Sequence, residues 1–134
     1  MIKATIYTFG YGNRSNYDDL RSALLENEIS TLVDVRKNPR GWSAIWGAKK
    51  LASFCDSLGI EYLSKKDLGN DSGNSTWEPP DRALAEAALV DVSKLAERRN
   101  ILLMCAEKDW NRCHRAEVSE RVKTMVGAGV VHLS

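Results

Sequence analysis

Ile101-Leu102-Leu103-Met104-Cys105-Ala106-Glu107 runs apolar for four positions and then delivers a thiol and a carboxylate. A short, continuous apolar run of this kind reads as a strand buried on both faces, the pattern of a parallel sheet covered by helices. Cys113-His114-Arg115 follows across a polar turn, so a second thiol, an imidazole and a guanidinium stand near the start of the next helix. Packing alone does not explain so many reactive groups at one strand-to-helix turn, and the turn is read as a site.

Working outward, the same alternation of strand and helix recurs along residues 1–134. Thr5-Ile6-Tyr7-Thr8-Phe9 is β-branched and aromatic and stops at Gly10-Tyr11-Gly12-Asn13. A helix is expected from about Tyr17 to Asn27, capped by Ser15 or Asn16, with Asp18 and Asp19 in its positive first turn and Leu20, Ala23 and Leu24 inward. Thr31 to Arg36 is the second strand. Leu51, Phe54, Cys55 and Leu58 mark a second helix ended by Gly59, and Ile60 to Leu63 a third strand. Residues 65–80, rich in Gly, Asn, Asp and Ser, read as a long surface loop, a feature often tied to function. Asp81 caps a helix with the stripe Leu84, Ala87, Ala88, Val92, Leu95 and Ala96. The last helix is expected to begin near Asn111 or Arg112 and to present Val118, Val122, Met125 and Val126. Val130 to Leu133 closes the sheet. The expected fold is therefore a single α/β domain, a Rossmann-like three-layer sandwich around a mainly parallel sheet of about five strands.

Composition narrows the function classes. The 134-residue chain has 43% hydrophobic and 28% charged residues and a net charge of +1, so no global field draws it to nucleic acid or to an anionic membrane. No apolar run approaches the roughly 18 residues that span a bilayer, and the first residues lack the apolar core of a signal peptide. Three cysteines, Cys55, Cys105 and Cys113, are too few for a disulfide framework, and a reducing cytoplasm is the expected setting.

In parallel sheets ligands bind beyond the carboxyl ends of the strands. Those ends carry Gly10-Tyr11-Gly12-Asn13-Arg14, Asp34-Val35-Arg36 and Cys105-Ala106-Glu107. Cys105 points toward the amino end of the last helix, where the dipole and Arg112, Arg115 and His114 favour a thiolate, while Glu107 opposes it. Cys113, in the first helical turn, feels the same dipole. Each helical step turns about 100°, so Cys113, His114 and Arg115 are not all expected to face one pocket. An Arg115 ion pair with Glu107 or Asp34 is one structural alternative, and a small buried hydrophobe is the alternative for either cysteine. The seven-residue interval between the cysteines does not match the short Cys pairs of zinc sites, so no metal is expected. Residues 36–50 hold five cations, no acid, Trp42 and Trp46, which suits phosphates and stacked bases, or else a loop pinned to the core by its tryptophans.

Taken together, these residues resemble the family catalogued as domain of unknown function 488. The resemblance rests on Thr8-Phe9-Gly10-Tyr11-Gly12-Asn13-Arg14-Ser15, Leu32-Val33-Asp34-Val35-Arg36 with Pro39, Gly59-Ile60-Glu61-Tyr62 with Leu68-Gly69, and Cys105-Ala106-Glu107 with Cys113-His114-Arg115. It implies a compact α/β domain with its site at these motifs, and no activity. Asn70 stands where the family often carries a second glycine. A likeness to rhodanese-type sulfurtransferases is at fold level only, since Glu107, Asp109 and Trp110 do not suit a tight anion-cradling loop.

The expectation is a small cytoplasmic enzyme acting on an anionic, nucleotide or nucleic-acid substrate. Cys105, Glu107, Cys113 and His114 are its catalytic candidates. Gly10, Tyr11, Asn13, Arg14, Asp34, Arg36, Trp42 and Arg115 are its substrate-binding candidates. No cofactor is expected, and the expected partners are a small anion or nucleic acid rather than a membrane. The rivals are a non-catalytic nucleic-acid-binding module that uses residues 36–50, and a structural or partner-binding domain.

Overall fold

The computed structural model describes residues 4–12, 14–39 and 44–133. Among them five strands, β1 Thr5–Gly10, β2 Thr31–Asp34, β3 Glu61–Ser64, β4 Ile101–Cys105 and β5 Gly129–His132, alternate with four helices. These are α1 Asp18–Glu26, α2 Ala48–Ser57, α3 Arg82–Ala96 and α4 Arg115–Val126. The strands form one all-parallel sheet in the order β3-β2-β4-β1-β5.

The side-chain period of two divides β4 between two cores. Ile101, Leu103 and Cys105 join Ala85, Leu89 and Val92 of α3 and Val118 and Val122 of α4. Leu102 and Met104 join Leu20 and Leu24 of α1 and Leu51, Phe54 and Cys55 of α2. Two helices therefore cover each face, and burying each such apolar side chain contributes roughly 1.5–3 kcal/mol. Because β4 returns between β2 and β1, the chain leaves β1 and β2 toward one face and β4 toward the other. The strand order reverses there, and a crevice opens beyond the carboxyl ends of β1, β2 and β4.

Several local expectations are corrected. The amino end of α1 has no side-chain cap of its own; the Asn16 carboxamide instead accepts from the Asp18 amide at 3.0 Å, one turn-residue outside the helix. Asp81 does cap α3, accepting from the Leu84 amide at 3.0 Å. The inward stripe of α3 is Ala85, Ala88, Leu89, Val92, Ser93 and Ala96, whereas Leu84 and Ala87 are exposed. In an alanine-rich helix two adjacent stripes are nearly equally apolar, and close packing against α4 selects the one with smaller residues. Met125 likewise faces outward from α4. Most consequential, α4 begins at Arg115, after a short 3-10 turn at Trp110–Arg112 and an extended Cys113 with φ −116° and ψ 139°.

Candidate functional site

The three strand ends meet. Beyond the regular ladder, the Tyr11 and Gly12 amides donate to the carbonyls of Cys105 and Ala106 at 3.1 and 2.8 Å, and the Val35 amide to that of Met104 at 3.0 Å. Gly10 is required by this closeness. A Cβ there would stand 1.7 Å from the Glu107 carbonyl oxygen and 2.9 Å from Arg115 Nη1. Gly10 is thus fixed by packing, and it lines neither of the cavities described below.

Extended backbone at Cys113 turns its sulfur back onto the end of β4, and Cys105 and Cys113 are joined as a disulfide. One pair is less than a disulfide framework, but the reading of the two cysteines as free thiols is corrected, because the turn itself brings them together. Cys113 and His114, neither in the regular helix, line the same cavity while the buried Arg115 does not, so the three do not all face one pocket, as the sequence implied. Arg115, fully buried, reaches beneath them. Its Nη1 donates to Cys105 Sγ at 2.9 Å and to the Glu107 carbonyl, and its Nη2 to the Lys108 carbonyl at 3.1 Å. Arg115 pairs with neither Asp34 nor the Glu107 carboxylate, and burial lowers its pKa to about 10. His114 is buried, with Nε2 3.0 Å from the Val35 carbonyl and Nδ1 3.8 Å from Cys113 Sγ. Burial lowers its pKa and outweighs the carbonyls of Val35 and Leu68, which raise it.

Asp34 is fully buried at the end of β2 and accepts four hydrogen bonds. They come from the Arg36 amide at 3.1 Å, Arg36 Nε and Nη2 at 2.8 and 2.7 Å, and Tyr62 Oη at 2.5 Å. The carboxylate is consumed in holding Arg36 and is not free for ligand. Burial disfavours the charge on Arg36, but the hydrogen bonds and the charge of Asp34 more than offset it and raise its pKa. Tyr62 is raised by burial and by the Asp34 charge. Among the described residues, Arg36 Nη1 is buried without a hydrogen-bond partner.

The long loop forms the facing wall. Trp77 anchors it, buried, with Nε1 donating to the Gly69 carbonyl at 3.0 Å. Asn70 organises the loop from within, its Oδ1 accepting from the Ser72 and Glu78 amides. Lys37 Nζ joins it to the β2 end through Asp71 at 2.5 Å. Between them lies a cavity of about 660 Å³ lined by Tyr11, Arg36, Lys37, Asn38, Asn70, Asn74, Cys105, Glu107, Arg112, Cys113 and His114 among others. Arg112 forms no ion pair among the described residues.

Not every candidate belongs here. Arg14 pairs with Asp19 at 3.0 Å and lines a separate hollow with Gly12 and Lys108, on the other side of the Ala106-Glu107 turn. Trp46 is buried, donates to the Arg14 carbonyl at 2.9 Å and meets Tyr11 edge-on, so it pins the loop to the core and is not a stacking platform. Asn13 and Trp42 lie outside the described residues. Conversely, Tyr62, Asn38, Asn70 and Asn74 were missed. The asparagine density of residues 65–80 was the available signal for the last two. His132 lines neither cavity; its Nδ1 is 2.7 Å from Thr8 Oγ1 and its ring stacks on Trp110 at 4.0 Å. Among the described residues no group of three or more His, Cys, Asp or Glu is placed to hold a metal ion, and no helix is long and apolar enough to cross a membrane.

An α/β domain with a cysteine pair at its strand-order reversal is the class these features define. The family described as "Domain of unknown function DUF488" matches residues 16–122, and the chain belongs to it. No curated protein and no solved structure matches.

Proposed function

We propose that the cavity is the active site of a small enzyme acting on an anionic substrate, with Cys105 as the reacting thiolate. The observation that supports this most directly is that Arg115 donates to Cys105 Sγ at 2.9 Å at the floor of a cavity also lined by Arg36, Lys37 and Arg112. A buried guanidinium beside sulfur stabilises the thiolate once the Cys105–Cys113 bond is reduced. Arg36, oriented by Asp34 and carrying an Nη1 with no partner among the described residues, and Arg112 supply hydrogen bonds and charge for an anion. Glu107, exposed at the rim, is positioned to exchange protons with a bound molecule. The nucleic-acid reading keeps the cations of residues 36–50 but loses Trp46 as a stacking surface.

A pair of alkylating agents tests both parts at once. The reduced protein is treated with iodoacetate, an anion, and with its neutral counterpart iodoacetamide, and modified peptides are mapped. Relative to free cysteine, the iodoacetate-to-iodoacetamide rate ratio at Cys105 is expected to rise by about tenfold, to fall with salt, and to drop in Arg112→Ala. A ratio equal to that of free cysteine would overturn the anionic-site reading. Alkylation no faster than an ordinary surface thiol with either reagent would overturn the nucleophile.

A further inference from the structure

The two sulfurs of the Cys105–Cys113 pair floor the cavity, and each has a different neighbour that would serve it as a thiol once the bond is reduced. Cys105 Sγ has the Arg115 guanidinium at 2.9 Å. Cys113 Sγ has the Arg115 main-chain amide at 3.5 Å and His114 Nδ1 at 3.8 Å. The other ring nitrogen of His114 meets the Val35 carbonyl at 3.0 Å. A carbonyl only accepts, so the hydrogen resides on Nε2 and Nδ1 keeps its lone pair toward sulfur. Burial disfavours the charged ring, so the resting imidazole is neutral and its Nδ1 lone pair is free to accept a hydrogen bond from the Cys113 thiol. A thiolate made ready by a cation, and a second thiol with its own base within bonding reach, are the two components of stepwise disulfide exchange.

We propose that Cys105 and Cys113 carry out thiol–disulfide exchange on small disulfides that bear carboxylates. This rests on the anionic-substrate reading of the same cavity. Cys105 thiolate attacks one sulfur of the bound disulfide; the substrate S–S bond breaks, one thiolate leaves, and Cys105 holds the other half as a mixed disulfide. Cys113 then passes its proton to His114 Nδ1 and attacks the Cys105 sulfur. The mixed bond breaks and the second half leaves as a thiolate, which takes up the proton. The substrate gains two electrons and the protein pair loses two, ending in the Cys105–Cys113 bond of the structure. An added dithiol restores the reduced pair.

The test uses the full chain, reduced with dithiothreitol and desalted. It is mixed with glutathione disulfide, which carries carboxylates, with uncharged 2-hydroxyethyl disulfide, or with cationic cystamine. Acid-quenched samples are read by intact-protein mass spectrometry, and released thiol is counted by chromatography. Wild type is expected to release two thiols per chain and to end with the internal disulfide and no adduct. Cys113→Ser is expected to release one and to retain a mixed disulfide at Cys105. Cys105→Ser is expected to react about tenfold more slowly or worse. Should a variant not fold, as judged by circular dichroism, the wild-type count still decides. One thiol released with a lasting adduct overturns the exchange, as does full release of two by Cys113→Ser. If two thiols are released but the three disulfides react in the order seen with free dithiothreitol, exchange stands and the anionic cavity falls. If the iodoacetate preference holds while only one thiol is released, the cavity stands and exchange falls.

Discussion

Replacing Asp34 by Asn tests whether the β2 end is an electrostatic keystone. The carboxylate is fully buried and Arg36, at the cavity wall, is only 7% exposed, so the carboxylate has no water as an alternative partner and the guanidinium has little. Asn keeps the volume but removes the charge and turns one acceptor into a donor that faces Arg36 or Tyr62 Oη. Breaking one side of a buried pair leaves an uncompensated charge, which costs roughly 3–5 kcal/mol. That is a large share of the roughly 5–15 kcal/mol typical of a folded domain. With about 2.1 cal/mol/K per residue of unfolding entropy, Tm should fall by roughly 10–18 °C. The assay is denaturant unfolding followed by far-ultraviolet circular dichroism, with a calorimetric scan alongside. The double variant Asp34→Leu/Arg36→Met removes both charges and should recover most of the loss, while abolishing the iodoacetate preference. A loss below about 1 kcal/mol for Asp34→Asn would refute the reasoning, because a solvated surface pair behaves that way.

Gly10→Ala places a methyl 1.7 Å from a main-chain oxygen that cannot swing away, so about 1–3 kcal/mol of stability should be lost, read as a lower denaturant midpoint at unchanged slope. An unchanged midpoint would mean the Cys105-to-Glu107 turn is not held against β1. Trp77→Ala removes the buried anchor of the long loop and should cost about 3–5 kcal/mol, with faster proteolysis within residues 65–80 as the local signature; cleavage at the wild-type rate would deny that anchoring. Burial lowers the pKa of both His114 and His132 below their ordinary 6.5, so the unfolded chain takes up protons that the folded one refuses. Stability from these groups is complete above about pH 6.5 and declines as pH falls toward the folded values. His114→Asn should flatten this decline between about pH 6.5 and 5, and an unaltered pH slope would contradict the buried neutral imidazole.

Much of this arrangement was legible along the chain. The apolar run of β4, the alternation of element types and the polar residues that end β1, β2 and β4 all follow from local chemistry, since strand burial and turn propensities act over a few residues. That was enough to gather Cys105, Cys113, His114 and Arg36 as candidates at one edge of the sheet. The details that failed share a cause. Whether α4 begins at Arg112 or Arg115 depends on how the preceding turn packs, and that shift decides whether Cys113 faces Cys105 or a helix flank. The choice of inward stripe on α3 was equally beyond a pattern of near-equivalent alanines and leucines.

Local periodicity thus determined the layers, the parallel sheet and the edge at which the reactive groups gather, because burial and hydrogen bonding impose those on any chain with this pattern. Only the folded packing decided the partners. Asp34 spends its charge on Arg36, Arg115 turns from carboxylates to a sulfur and two carbonyls, Trp46 sinks beneath Arg14, and residues 65–80 close one wall. In each case several partners of the right chemistry compete, some near in the chain and some far, and the packed geometry selects one.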